Sequence, residues 1–387
     1  MAVINRIAGF AEEMAGWRRH LHMNPELGLD CHQTAAFVVE RLREFGVDEI
    51  HEGIARSGVV AVINGTGEGP VTGLRADMDA LPMQEETGAE WASQVEGRMH
   101  ACGHDGHTAM LLGAAKYLSE TRNFGGKAVL IFQPAEETIG GGRIMVEEGM
   151  MDRFDVGEVY ALHTDPFGGA GEFRTRTGPL LAAVDDFEIF LTGKGGHAAY
   201  PDACIDPLPA AAAILQAMQT VVSRNVKPLD ELVVSVTQIH GGSAMNIIPE
   251  SAYLAGTVRS FSPAVRDMAE KRIGEIVTAQ ASVYGVEARL DYQRNYPATV
   301  NHGAQTEKGA EIAREVAGED NVLTALPPEM GAEDFSYMLE ARPGAFFFLG
   351  QGVGPSVHHP EFDFNDEVAP VGASFFARLI ERHHPVG

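Results

Sequence analysis

The segment Met99-His100-Ala101-Cys102-Gly103-His104-Asp105-Gly106-His107 packs three histidines, a thiol and a carboxylate around two glycines. Glycine permits tight backbone turns around such groups. Thiolate and imidazole suit zinc, and imidazole with carboxylate suits manganese and other divalent ions. A Cys-x-His pattern alone is unspecific, because a polar loop with a buried cysteine reads the same way.

A second chemical segment, Gln133-Pro134-Ala135-Glu136-Glu137, follows the apolar run Lys127 to Phe132. Adjacent carboxylates at the end of a buried strand are costly unless paired or metal-bound. Read as extended backbone, the two glutamates point to opposite sides, one towards metal and one towards substrate. A helix N-terminus, where the dipole favours acids, is the other reading. His163 closes the run Val159-Tyr160-Ala161-Leu162, as a core residue or a ligand. Ser356-Val357-His358-His359-Pro360, taken alone, is a polar turn. Together these segments place Cys102, His104, Glu137, His163 and His358 at strand ends of one sheet, as a two-metal site requires. Asp77, Asp79 and Asp105 are the carboxylates available to orient the imidazoles. Cys102 reads as a ligand rather than a nucleophile, since no His and Asp pair needs it as one.

The elements that carry these groups alternate. Ile4, Ile7, Phe10, Met14, Trp17 and Leu21 recur at helical spacing and predict an amphipathic first helix. Strands are expected at residues 58–64, 71–75, 127–132 and 156–163, with a helix over 108–119. This alternation predicts an α/β sheet with helices on both faces, whose ligands bind at the C-terminal strand ends. From residue 184 to 294 the order becomes β-α-β-β-α-β, the split pattern of a ferredoxin-like domain. Its helices are expected over 209–222 and 263–284. After residue 295 the α/β pattern resumes, with a helix near 305–317 and a strand near 345–349. The expected organisation is a catalytic domain of residues 1–183 and 295–387, interrupted by an inserted domain of residues 184–294.

Composition sets the limits. The 387 residues call for roughly two domains. Lys plus Arg total 29 against 54 Asp plus Glu, a net charge of −25. That balance argues against nucleic acid, which needs a basic face, and against anionic membrane surfaces. Its simplest meaning is solubility. No apolar run reaches the roughly 18 residues of a spanning helix. The N-terminus carries acids and arginines from Glu12 onward, so no secretory signal is expected. Cys31, Cys102 and Cys204 are odd in number and widely spaced, which favours a reducing, cytoplasmic location.

Further stretches join the metal segments in order along nearly the whole chain. They are Trp17-Arg18-Arg19-His20-Leu21-His22 with Pro25-Glu26-Leu27-Gly28, and Leu74-Arg75-Ala76-Asp77-Met78-Asp79-Ala80-Leu81-Pro82. Gly195-Gly196-His197-Ala198-Ala199-Tyr200-Pro201 and Asn246-Ile247-Ile248-Pro249 follow. Gly331-Ala332-Glu333-Asp334-Phe335 and Asp363-Phe364-Asn365-Asp366 complete the set. With these motifs the chain resembles the M20 family of metallohydrolases. The similar branch is that of the N-acyl amino acid amidohydrolases, which includes hippurate hydrolases and plant auxin-conjugate hydrolases.

The resemblance implies a mixed-sheet α/β catalytic domain with an inserted α+β ferredoxin-like lid and dimerisation domain. It implies two divalent ions, with zinc, manganese, cobalt and nickel all open. Cys102 and His104 would bind one ion, Glu137 would lie near both, and His163 would bind the other. His358 rather than His359 matches the motif of His, one variable residue, then Pro. Glu136 matches the general base. A water shared by two cations loses its proton far more readily than bulk water, and a nearby glutamate can pass that proton to a leaving amine. His197 would donate to the oxyanion, often reaching the partner subunit's site. Asn246 and Arg259 are substrate-binding candidates. An arginine in the apolar strand Ala252 to Val258 needs an anion, either a substrate α-carboxylate or a local acid.

The implied reaction is hydrolysis of the amide bond of N-acyl-L-amino acids to a carboxylate and a free amino acid. A metallo-dipeptidase or carboxypeptidase using the same site is the alternative. A non-catalytic relative is disfavoured by the retention of Glu136 and all five ligand types. An exposed ferredoxin-like edge fits a homodimer or homotetramer built through the lid.

Overall fold

The computed structural model describes residues 1–386. It divides into two compact units. The first holds residues 1–180, 299–328 and 334–386; the second holds 181–298 and 329–333.

The first unit opens with helix α1 (Ala11–Met23), then α2 (His32–Glu44). The first helix expected from residue 4 onward is interrupted. A single turn, Asn5–Ala8, stops at Gly9, where a glycine costs helix stability, and the chain restarts at Ala11. Strands β1 (Glu49–Ile54), β2 (Gly58–Asn64) and β3 (Val71–Asp77) precede helix α3 (His104–Thr121). Next come β4 (Lys127–Gln133), β5 (Glu158–Asp165) and the short β6 (Phe173–Arg174). The runs of β2 and β4 are buried at nearly every position, on both faces, which is why they read as continuous apolar stretches rather than alternating ones.

The second unit contains β7 (Ala183–Thr192), α4 (Pro207–Thr220), β8 (Leu232–Gly241), β9 (Ser251–Ser260), α5 (Pro263–Tyr284) and β10 (Glu287–Arg294). Its four-stranded antiparallel sheet has the order β8-β9-β7-β10, a ferredoxin-like arrangement. Asp206 caps α4 by accepting the Leu208 N–H at 3.0 Å, and Pro207 pre-sets its first turn. Phe187, Ile189 and Leu191 alternate along β7 and are buried with Ile214 and Met218 of α4 and Ile273 of α5. The intervening residues Val184, Asp186, Glu188, Phe190 and Thr192 stay more exposed, as expected for a sheet covered on one face.

The chain then completes the first unit with helix α6 (Gly303–Ala317), β11 (Val322–Leu323), β12 (Gly344–Gly350) and α7 (Ala369–His383). The eight-stranded sheet runs β1-β2-β4-β3-β5-β12-β6-β11. Within it β4, β3, β5 and β12 are mutually parallel, so their C-terminal ends share one edge. Asp77 ends β3, Gln133 ends β4, and His163 lies near the end of β5. Among the described residues no helix is long and apolar enough to cross a membrane.

Candidate metal centre

His104 opens α3 directly after Gly103, whose φ of 82° lies in the left-handed region. A Cβ on Gly103 would also come within 2.6 Å of the Thr164 side chain, so this turn takes glycine on two counts. His104 Nδ1 lies 2.8 Å from the carbonyl oxygen of Asp79. A carbonyl only accepts, so Nδ1 carries a proton, and Nε2 is the nitrogen that a cation would take in place of a proton. That Nε2 is buried without a hydrogen-bond partner.

Glu136 and Glu137 do not sit on extended backbone. Ala135, at φ 61°, turns the chain directly after β4, and the Gly140 and Gly141 N–H groups close the turn on the Ala135 carbonyl. Asp79 accepts the Glu136 N–H at 2.9 Å and the Glu137 N–H at 3.1 Å. The carboxylates therefore do not diverge: one oxygen of each lies within 4.8 Å of the other and of a His104 ring nitrogen. Opposed side chains follow from strand pleating, and the left-handed turn removes the pleat.

His163 Nδ1 donates to the Thr164 carbonyl at 2.7 Å, which turns Nε2 towards Cys102 Sγ at 3.4 Å. His358 has φ 64°, and its N–H donates to the Ala101 carbonyl at 2.7 Å. His358 Nε2 comes to 3.2 Å from Glu137 Oε1, whereas His359 Nδ1 accepts a neighbouring backbone N–H from Glu361. Two ligand groups result, Cys102-His104-His163 and Cys102-Glu137-His358, with donor atoms in each within 4.8 Å of one another. Cys102 is common to both. His104 also groups with Glu136 and Glu137, so the three overlapping groups surround one shared space.

Two divalent cations fit these residues. Zinc–ligand bonds of about 2.0–2.3 Å at a tetrahedral angle place donor atoms about 3.5 Å apart, close to the Cys102–His163 spacing. Glu137 Oε1 and His104 Nε2 are buried 3.9 Å apart with no aligned hydrogen bond, and Glu137 Oε1 otherwise meets the exposed His358 ring at 3.2 Å. Buried polar atoms so placed are expensive unless a ligand meets them. The electrostatics agree. Burial would lower the His104 pKa, yet Asp77, Asp79 and Glu137 push it up to about 10. Burial, with Glu137, Glu136 and Asp77, pushes the Cys102 thiol up. A bound cation reverses that and favours thiolate. Burial also raises Glu137, but His358 and His104 outweigh it and hold the carboxyl below its usual range.

The three aspartates do different jobs from one another. Asp79 holds His104 through its carbonyl and the glutamates through its carboxylate. Asp77 bonds His107 Nδ1 at 2.6 Å and Arg75 at 2.7 Å, and its nearest approach to His104 Nε2 is 3.6 Å. Asp105 bonds His22, which is not among the ligand groups, at 2.7 Å.

Sequence reasoning passed over His107. Its Nε2 accepts the Thr164 N–H at 2.8 Å, so the ring is neutral, with burial and neighbouring His163 opposing the pull of Asp77 and holding it at about 4. It thereby ties Asp77 to the strand that bears His163. Its place one turn after His104 (i, i+3) was the available signal. The buried Arg75 was also passed over; it bonds Asp77, Gln133 and Asp334 beneath the site.

His197, Asn246 and Arg259 lie in the second unit. His197 pairs with Ile247 across two short strands, and the Ala198 N–H donates to the Asn246 carbonyl at 3.0 Å, so His197 and Asn246 are neighbours. His197 Nδ1 accepts the Ala199 N–H at 3.0 Å, which leaves Nε2–H as the donor of the neutral ring. Arg259, on β9, bonds Thr257 Oγ1 and the Val258 carbonyl, and forms no ion pair among the described residues. Burial lowers its pKa against the pull of Asp186 and Asp185.

A family model described as Peptidase family M20/M25/M40 matches residues 73–382. The hippurate hydrolase of Campylobacter jejuni is 38% identical over 383 residues, covering 99% of this chain and 100% of that protein. The N-acetyl-L-cysteine deacetylase of Bacillus subtilis is 41% identical over 367 residues, covering 94% of this chain and 86% of that one. The crystal structure of the Bacillus subtilis YXEP protein, described as a dinuclear metal binding peptidase from M20 family, matches with a TM-score of 0.85 at 33% identity. That match covers 97% of this chain and 98% of the other.

Proposed function

The chain belongs to peptidase family M20/M25/M40, and we propose that it is a metal-dependent amidohydrolase that cleaves N-acyl-L-amino acids to a carboxylic acid and a free amino acid. The observation that carries this reading is the pair of ligand groups sharing Cys102, with the carboxylate of Glu136 beside them. Named activities on hippurate and on N-acetyl-L-cysteine in two relatives support the substrate class.

Two divalent cations, when bound, polarise a carbonyl and make water a stronger acid. Cys102, His104, Glu137, His163 and His358 are the residues that would hold them. One thiolate among imidazoles and a carboxylate suits zinc, manganese, cobalt or nickel. Glu136 is buried yet near the ligands, which suits it to take the proton of the attacking water and deliver it to the leaving amine nitrogen. The balance is simple: the amide C–N bond breaks, water's oxygen joins the acyl carbon, and the amine leaves protonated by that transfer. His197, with Nε2–H outward from its own backbone contact, is assigned the oxyanion donor. Arg259, lacking a carboxylate partner, is assigned the substrate α-carboxylate, with the neighbouring Asn246 as a second polar contact. The sheet edges β8 and β10 offer surfaces for a homo-oligomer, and the three free cysteines suit a reducing, cytoplasmic setting.

The test is a panel of N-acetyl, N-benzoyl and N-indoleacetyl amino acids beside dipeptides, run before and after chelation and with metal add-back. Fast turnover of acyl amino acids, abolished by chelator and restored by metal, is expected. Dipeptides far faster than every acyl derivative would move the protein to the peptidase reading. Activity untouched by chelation would remove the metal from the chemistry.

A further inference from the structure

The motif Trp17-Arg18-Arg19 and the segment Asp363-Phe364-Asn365-Asp366 have no part in the chemistry above, yet they meet. Arg18 lies on α1 and is 1% exposed. Its Nε donates to Asp366 Oδ1 at 2.7 Å and its Nη1 to Asp363 Oδ1 at 2.9 Å. The same Nη1 is 3.9 Å from Asp105 Oδ2. Asp105 directly follows His104, and the two other aspartates lie just beyond His358. One buried guanidinium thus joins the first turn of α3 to the loop that carries a ligand from the far end of the chain.

His358 needs such a tether. Its side chain is 52% exposed, so packing does not hold it. Its φ of 64° is a conformation that persists only where the surroundings enforce it. The segment that follows supplies the enforcement. Phe364 packs so tightly on α3 that a Cβ at Gly106 would come within 2.3 Å of its ring. Gln351 accepts the Thr164 hydroxyl at 2.9 Å and donates to the Asp363 carbonyl at 3.2 Å, tying the segment to the end of β5. The His358 N–H bond to the Ala101 carbonyl fixes its backbone, whereas the His104 ring itself is fixed by a backbone group, the Asp79 carbonyl.

We propose that Arg18 is a positioning residue for the metal centre. By gripping Asp363 and Asp366 it holds the His358 loop in register with the other ligands. A planar guanidinium makes both bonds at once; an ammonium cannot reproduce the fork. The inference rests on the two-metal reading.

The experiment is two-step equilibrium dialysis of zinc against a competing chelator, on wild type, His358→Ala, Arg18→Lys and Asp366→Asn, with melting of each metal-free chain. His358→Ala identifies the binding step that depends on His358. Arg18→Lys is expected to weaken that same step by about tenfold or more, the usual cost of losing a partner behind a metal ligand. The other step should stay within about twofold of wild type. Should Arg18→Lys fail to fold, Asp366→Asn at the more exposed end of the pair carries the same expectation. Both steps unchanged in a folded variant, or both weakened alike as general loosening would do, overturns the clamp. A wild-type chain that takes up neither zinc nor manganese, cobalt or nickel overturns the metal reading together with the clamp, whereas two bound ions with an indifferent Arg18 overturns the clamp alone.

Discussion

Asp79 and Glu137 are joined through the backbone, not through their charges: the Asp79 carboxylate accepts the Glu137 N–H at 3.1 Å while its other oxygen accepts the Glu136 N–H at 2.9 Å. One carboxylate therefore sets the direction of two neighbouring side chains that the proposed chemistry uses differently. An amide in its place offers one acceptor and turns an N–H₂ towards the second N–H.

Asp79→Asn should therefore keep the fold and lower kcat by about 10–100-fold, the usual range for a supporting group behind a metal site. Steady-state kinetics with metal content determined on the same sample checks this. Wild-type kcat in Asp79→Asn would show that the turn after Ala135 holds the glutamates without it.

Gly106→Ala offers a test of sign. In an ordinary helix interior this change stabilises by about 1 kcal/mol. Here the new methyl would lie 2.3 Å from the Phe364 ring, so the ring and its segment must shift. Overpacking of this kind costs about 1–3 kcal/mol. Chemical denaturation should show net destabilisation, and a stabilised variant would mean that Phe364 yields freely.

His22 gives a pH dependence. Burial works to lower its pKa, but Asp105 at 2.7 Å and Glu85 at 3.4 Å prevail and raise it to about 9. A folded pKa above the unfolded value of about 6.5 means stability that is fully present below that value and lost as pH rises through the folded pKa. Wild type should lose up to about 3 kcal/mol from this group between roughly pH 6.5 and pH 9. His22→Gln should be flatter over that window. Equal slopes in denaturation curves of the two proteins would contradict the assignment.

The parts most legible in the sequence are those whose physics is local. The strands Gly58–Asn64 and Lys127–Gln133 are continuous apolar runs because both faces are buried, and Glu136 and Glu137 come shortly after the second of them. Cys102 and His104 instead precede and open helix α3, and His358 lies in a loop after β12, so their place at the site was not legible from strand ends. Helix α5 is bounded as expected, by Pro263 at its start and Gly285 in the left-handed region after its end. Other features depend on distant partners or on backbone angles. Helix α7 is buried at most positions from Ala369 to Ile380, so it lacks the polar face that reveals a helix. Strand β1 is a sheet edge in which Glu49, His51 and Glu52 break any apolar run and only Ile54 is buried, so its sequence carries no strand pattern. The convergence of Glu136 and Glu137 follows from the positive φ of Ala135, a residue type that gives no warning of it. Arg18 finds its partners 345 and 348 residues away, beyond the reach of any spacing rule.

The most direct measurement is Glu136→Gln, assayed for bound metal and for hydrolysis of an N-acyl amino acid in the same preparation. Glutamine preserves shape but cannot take the proton from water. Metal content at the wild-type level with kcat reduced by about 10²–10⁴-fold is the expected result. Full metal content with a loss of less than about tenfold would contradict Glu136 as the general base of a metal-dependent amidohydrolase.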